Sequence, residues 1–348
     1  MRPLRILHAV RSDSFAGVEQ FVRRLALAQR ASGHEVSVIG GAPVQLADEL
    51  RAAGVGYQPG VRTVEVTRRV RRLAGQVDVV NTHMTAADGA AAIGLLGVRD
   101  RPALVSTRHF AQHRGSHWPA FVYRAIEARI DAEISVSRTV AAAIGRPSAV
   151  VYPGIESRTG AIAARSRVVL AAQRLQPEKR TDIAVRAFAA SGLADEGWLL
   201  QIAGDGAERS ALEDVAARLG MAGSVRFLGF RRDIPELMAR AALLIAPCPR
   251  EHLGLTILEA MDAGLPVVAA DAAGHRELLE GVDPRARFPA DDMDAAASAL
   301  RLFAHDQGAR EALAEQQRQR QRATFTVDAQ VAGTDAAYLA ALTRRGRA

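Results

Sequence analysis

The apolar positions of this chain fall into short runs separated by stretches of helical period. Residues 4–10, 35–39, 78–82, 103–107, 132–136 and 150–152 are runs of the kind produced by a strand buried on both faces. Between them apolar residues recur three and four apart. Residues 18–31 show this at Phe21, Val22, Leu25 and Ala28, and Gly33 ends the segment. Further helices are expected near 44–53, 86–96, 119–130 and 138–144. A polar stretch from Tyr152 to Arg167 reads as a linker, and the alternation then restarts. Strands at 168–172, 198–203, 224–228, 241–246 and 267–270 alternate with helices at 181–190, 206–219, 234–240 and 254–264. A helical tail follows from about Asp291, with a late helix at 327–342. Strand–helix alternation predicts parallel sheets with helices on both faces. Two such series predict two α/β domains, residues 1–160 and 161–324. Ligands of such sheets sit at the carboxyl ends of the strands, where Gly17, His83 and His109 lie in the first series.

Composition narrows the class. The chain has 348 residues, 49% hydrophobic and 24% charged, which is the balance of a soluble globular protein. No run approaches the roughly 18 apolar residues of a membrane span. Residues 1–10 carry Arg2 and Arg5 but too short an apolar core for a signal peptide, so they read as the first strand. The single cysteine, Cys248, excludes an internal disulfide and suits the cytosol; a buried thiol at a strand end is expected.

The formal net charge of +7 is uneven. Residues 1–160 hold 21 Arg against 13 Asp or Glu, and the remainder holds 24 Arg or Lys against 25 acids. The excess is densest at Arg68, Arg69, Arg71 and Arg72. No aromatic interleaving accompanies it, so nucleic acid is not expected. An anionic membrane surface or a phosphorylated acceptor suits it better, as does a solvated helix face. Lys179 is the only lysine. A composition that uses arginine everywhere else suggests a place there that requires a compact ammonium.

The chemistry concentrates in residues 246–270. Pro247 and Pro249 end a buried strand, Gly254 opens a helix, and Gly264 and Pro266 close it before the next strand. The helix start offers free N–H groups and partial positive charge, with Leu255 and Thr256 nearest, which suits a phosphate. Glu251 precedes the helix and Glu259 lies in its second turn. Alone, either acid would be an ordinary solvated charge. Glu259, however, has apolar neighbours on both sides and so needs a partner or a ligand.

This run resembles the Glu-x7-Glu signature of the retaining glycosyltransferases of family 4, which have the GT-B fold. The match extends over Glu251, Gly254, Leu258-Glu259-Ala260-Met261 and Ala263-Gly264-Leu265-Pro266-Val267-Val268. The resemblance implies two Rossmann-like domains facing across a cleft, with the terminal segment 325–348 returning to the first. It implies transfer of a sugar from a UDP- or GDP-sugar to a hydroxyl of a glycan, lipid-linked or small-molecule acceptor. Cell-envelope glycan assembly, such as lipopolysaccharide, is the expected setting, at the cytoplasmic face of the inner membrane. Arg174 and Lys179 match the family's Arg-x4-Lys pair, which neutralises the leaving diphosphate, so no metal and no cofactor is expected. Glu259 would hold the ribose hydroxyls and Glu251 the donor-sugar hydroxyls. His109 matches a histidine near the reacting sugar, and His83 would line the acceptor side. Gly17 would let backbone approach the phosphates, the helix start after Gly206 would add donors, and Gly229 and Arg231 would frame the base. Front-face attack with the leaving phosphate as base is expected, because no second carboxylate is evident at the first domain's strand ends.

Four positions depart from the family pattern: Ala16, His252 and Arg180 stand where glycine is usual, and Pro153 where asparagine is. His252 beside Glu251 leaves the donor sugar open. Two other readings compete. An epimerase of the same fold would act on donor without acceptor. A non-catalytic partner subunit would keep the fold, but the intact set of Arg174, Lys179, Glu251 and Glu259 argues against decay. A phosphorylase would need a pyridoxal lysine outside the diphosphate motif, and a dehydrogenase a Gly-x-Gly-x-x-Gly after the first strand.

Overall fold

The computed structural model describes residues 2–112, 120–157 and 165–346. Residues 158–164 of the expected linker and residues 347–348 of the terminal segment lie outside that range. The chain opens β1 (Arg5–Val10), α1 (Gly17–Ala31), β2 (Glu35–Ile39), α2 (Pro43–Ala52), β3 (Gly56–Gln58), α3 (Thr63–Leu73) and β4 (Val79–His83). It continues through α4 (Thr85–Gly94), β5 (Ala103–Arg108), α5 (Ala120–Glu127), β6 (Ala132–Ser135), α6 (Arg138–Ala143) and β7 (Ala149–Val150). These strands pair in parallel in the order β3-β2-β1-β4-β5-β6-β7. The central strands β4 and β5 are buried along their whole length, as strands covered on both faces must be.

The second series runs β8 (Val168–Ala172), α7 (Thr181–Ala190), β9 (Leu199–Ala203), α8 (Arg209–Arg218), β10 (Val225–Gly229), α9 (Ile234–Arg240) and β11 (Leu243–Ala246). Then come α10 (Leu255–Asp262), β12 (Val267–Ala270), α11 (Ala273–Leu278), β13 (Arg287–Phe288), α12 (Met293–His305) and α13 (Gln307–Thr324). Its parallel sheet has the order β10-β9-β8-β11-β12-β13. One core, including Phe188, Phe288, Phe303 and Trp198, fills its interior.

Two compact units result, Met1–Gly154 with Thr326–Ala348, and Ile155–Phe325. The last helix, α14 (Val327–Arg344), therefore belongs to the first unit. Its Tyr338, Ala341 and Leu342 pack with Leu4, Ile6, Val79 and Val105. Full burial of a side chain such as Leu342 contributes roughly 1.5–3 kcal/mol. Asn81 Nδ2 donates to Tyr338 Oη at 2.7 Å, which fixes the helix in register. Gly154 N–H donates to Gln330 Oε1 at 2.8 Å, and a Cβ on Gly154 would lie 2.2 Å from the Thr326 carbonyl oxygen. Only glycine lets the chain pass the start of α14 so closely.

Several elements carry too little apolar signal to stand out in the sequence. β3 is three residues long, β13 is two, and α3 is dominated by arginine around buried Val66 and Val70. The arginines of α3 are not one free patch. Arg68 and Arg72 are exposed. Arg69 donates to the Pro59 carbonyl and pairs with Glu65 at 3.8 Å, while Arg71 donates to the Leu96 carbonyl. Among the described residues no helix is long and apolar enough to cross a membrane.

Candidate functional site

In the second unit the sequence-predicted residues lie on the loops that follow β8, β9, β10 and β11, at the end of β10 and on α10. After β8 the chain makes a single tight turn, Pro177–Lys179, and Arg180 then takes a left-handed conformation at φ 50°. That geometry is the reason glycine is usual at this position. Arg180 is held there by Asp182 at 3.0 Å and by Asp291. The turn rests on Cys248, whose buried thiol donates to the Glu178 carbonyl at 3.2 Å. Burial pushes that thiol's pKa up, so it is a packed S–H and not a reactive thiolate.

The turn delivers Lys179 to Glu251. Nζ and Oε2 form a direct ion pair between side chains that are 15% and 25% exposed. Burial alone would push the Glu251 carboxyl up; the Lys179 ammonium, by charge and hydrogen bond, outweighs it and holds the group below the usual carboxylate range. Glu251 is fixed from behind, since its carbonyl accepts from Gly274 N–H at 2.8 Å. A Cβ on Gly274 would lie 2.4 Å from Leu253 Cα, so two backbones meet there.

Gly254 caps α10 at φ 108°. A Cβ at Gly254 would lie 3.2 Å from His275 Cδ2 and 3.5 Å from Glu251 Cγ, which places Glu251, Gly254 and His275 together. Leu255 and Thr256 form the first turn of α10. Glu259 is half-buried, one turn further along. His275 carried no assigned role in the sequence. It is 2% exposed, and its Nδ1 has no hydrogen-bond partner among the described residues. Burial lowers its pKa to about 4, so the ring is neutral beside the ion pair. His252 is likewise lowered by burial.

Other residues fall differently from the sequence expectation. Gly206 does not open a helix; α8 begins at Arg209. Gly206 is required because a Cβ would lie 2.2 Å from the Leu175 carbonyl oxygen, where this loop presses on the segment carrying Arg174. Gly229 ends β10 at φ 67°, and its carbonyl accepts from Gly204 N–H at 2.8 Å. Arg231 is bound to Asp233 at 2.8 Å. Arg174 stays 71% exposed and lies 3.5 Å from Glu178, so its guanidinium is the accessible cation and Lys179 the enclosed one.

In the first unit, Gly17 is the first residue of α1. Ala16 precedes it with an ordinary extended φ of −118°, so the alanine costs nothing in backbone geometry. His83 does not line a surface. It is fully buried, because its ring lies between His8 and the half-buried His109. His83 Nε2 is 3.1 Å from His8 Nδ1, and its Nδ1 is 3.0 Å from His109 Nε2. Phe21 meets the His109 ring edge-on at 4.8 Å between centroids. Burial lowers the pKa of all three imidazoles, that of His8 to about 4.

These shifts predict a pH dependence. A histidine whose pKa falls on folding binds fewer protons when native, so stability is present above the unfolded pKa and is lost as pH falls. For His8 and His275 the window runs from about 6.5, the ordinary value, down to about 4. Each group then favours the native state by about 3 kcal/mol at neutral pH relative to acid. The two residues sit in different units, so both should melt at progressively lower temperature as pH drops from 6.5 to 4. Scanning calorimetry across that range checks this, and flat melting temperatures would exclude neutral buried imidazoles.

Two doubly wound parallel units with a terminal helix in the first constitute the GT-B class of fold. HepE of Anabaena, solved in complex with UDP and glucose, matches 96% of this chain and 98% of its own at a TM-score of 0.77 and 23% identity. Residues 15–158 match the profile of glycosyltransferase family 4, and residues 155–320 that of glycosyl transferases group 1. The lipopolysaccharide core biosynthesis mannosyltransferase LpsB of Rhizobium meliloti is 27% identical over 327 residues, 88% of this chain and 89% of that one. The exopolysaccharide phosphotransferase of Streptomyces coelicolor is 34% identical over 143 residues, 40% of this chain but only 15% of that protein's length. The chain belongs to the group 1, family 4 glycosyltransferases.

Proposed function

We propose that this protein transfers a sugar, with retention of anomeric configuration, from a UDP- or GDP-sugar to a hydroxyl of a cell-envelope glycan or lipid-linked acceptor. The observation that carries the reading is the Lys179–Glu251 pair at the head of α10. A compact ammonium, an exposed guanidinium at Arg174 and the N–H groups of Leu255 and Thr256 together supply what a leaving diphosphate needs, with no metal. Glu251 and Glu259 accept hydrogen bonds from sugar and ribose hydroxyls. A phosphate that reaches Lys179 competes with Glu251 for the ammonium, so donor binding frees that carboxylate for the sugar. His109 contacts the transferred sugar. The leaving phosphate serves as base for front-face attack, and trapping a covalent glycosyl-enzyme would refute that step.

The names of two relatives support the setting: LpsB acts in lipopolysaccharide core biosynthesis, and HepE was solved with UDP and glucose. Exposed Arg68 and Arg72 suit work at an anionic membrane surface. The direct test is incubation of the protein with UDP-glucose, UDP-galactose and GDP-mannose and envelope glycolipid acceptors, with the product anomer read by NMR. Release of nucleotide diphosphate with an α-linked product is expected. Conversion of the donor sugar without acceptor would indicate the epimerase instead.

Glu259→Ala should weaken nucleotide-sugar binding by about 10- to 100-fold, the worth of one or two charge-assisted hydrogen bonds. Calorimetric titration checks this, and unchanged affinity in a folded variant would remove Glu259 from the donor site.

A further inference from the structure

Beneath His109 lies a continuous line of buried polar groups that ends on the last helix. Asp335 of α14 holds His34 Nε2 at 3.0 Å through one carboxylate oxygen and Gln29 Nε2 at 3.2 Å through the other. Gln29 Oε1 is 2.8 Å from His8 Nε2. His8 Nδ1 then meets His83 Nε2, and His83 Nδ1 meets His109 Nε2. The sheet register builds the upper part. Val10 pairs with His83 and His83 with Thr107, so His8, His83 and His109 share one face and climb two residues per strand.

We propose that Asp335, Gln29, His8 and His83 are positioning residues that set the tautomer of His109, leaving its Nδ1 as a bare acceptor.

The direction is fixed at the lower end by two groups that have no choice. Leu4 N–H donates to His34 Nδ1 at 3.0 Å, so His34 carries its proton on Nε2 and gives it to Asp335. The Asp335 carboxylate only accepts, so Gln29 must turn its NH2 toward it and its carbonyl toward His8. His8 therefore donates from Nε2 and accepts at Nδ1. His83 repeats the pattern, and His109 donates from Nε2. His109 Nδ1 has no partner among the described residues. Phe21 packs against the ring edge and holds its plane.

A single isosteric change reverses the line. In Asp335→Asn the new side chain keeps one acceptor and gains one donor, while His34 and Gln29 both offer donors. His34 cannot change, because Leu4 N–H holds its Nδ1. Gln29 must flip, His8 and His83 must switch tautomer, and His109 ends with the proton on Nδ1. The pair Gln29→Glu with Asp335→Asn restores the original direction. The amide introduced on α14 accepts from His34 and donates to the carboxylate introduced on α1, and that carboxylate accepts from His8.

The test is long-range 1H–15N correlation on the full chain with 15N-histidine, with His109 assigned by loss of its peaks in His109→Asn. Wild type should show His109 protonated on Nε2, Asp335→Asn on Nδ1, and the double variant on Nε2 again. His109 protonated on Nδ1 in wild type would overturn the proposal, as would the same His109 tautomer in wild type and Asp335→Asn. If Asp335→Asn does not fold, a His109 protonated on Nδ1 in the wild type or in the double variant still overturns the proposal. The consequence for catalysis rests on the proposed glycosyl transfer. There Asp335→Asn should lower kcat about 10-fold or more at nearly unchanged donor KM, with recovery in the double variant. A tautomer switch without transfer activity in any form would sustain the hydrogen-bond line and strike the functional reading alone.

Discussion

Lys179→Arg is expected to slow sugar transfer by about 100-fold or more, the loss seen when one preorganised charge donor is removed from a developing anion. The reason is shape. The Lys179 ammonium reaches Glu251 as a point charge between two largely enclosed side chains. A guanidinium is planar, larger and forked, and it cannot present the same charge at the same place. The turn that carries Lys179 cannot shift to make room, since Cys248 anchors it and Arg180 already sits in a left-handed conformation. Lys179→Ala should go further and also destabilise the second unit, because it leaves a largely enclosed carboxylate without its cation. The measurement is kcat for transfer alongside a melting curve for each variant. Turnover of Lys179→Arg within a few-fold of wild type would dissociate the ammonium from the leaving group.

Much of the fold could be read from the chain because both sheets are parallel and covered on both faces. Their strands are short apolar runs, and β1, β4, β5, β8, β11 and β12 stand out for that reason. Elements with little apolar content, β3, β13 and the arginine-rich α3, give no such signal. At the site, Lys179 and Glu251 are 72 residues apart, and only the motif joins them before the fold does. His275 has no motif to mark it; a buried imidazole with an unpartnered nitrogen becomes visible only through packing. His83 follows the polar Asn81 and Thr82 at a strand end, which suggests an open position, yet the register with β1 and β5 buries it between two other rings. Side-chain partners that depend on register, as those of His8 and Gln29 do, are not encoded at any local spacing.

Gly204→Ala should destabilise the second unit by about 3 kcal/mol or more, the range of a forced backbone clash. A Cβ at Gly204 would lie 1.9 Å from the Gln173 carbonyl oxygen, far inside contact distance, and the atom it meets is backbone. Neither side can yield cheaply. Gln173 N–H donates to the Ala203 carbonyl at 3.1 Å, Leu175 N–H to Asp205 at 2.9 Å, and Gly204 N–H to Gly229 at 2.8 Å. The loops after β8, β9 and β10 are thus pinned to one another at their bases, and Arg174 rides on the first of them. For a unit of this size each kcal/mol lowers the melting temperature by about 2–4 °C, so a drop near 10 °C is expected. Nucleotide-sugar affinity should fall with it, because moving Gln173 moves Arg174. Gly223→Ala is the control: nothing lies within 4 Å of a Cβ there and its φ is not in the left-handed region, so its melting temperature should stay within about 2 °C of wild type. If Gly204→Ala melts alongside that control, the loops are not packed backbone on backbone, and the placement of Arg174 by them fails too.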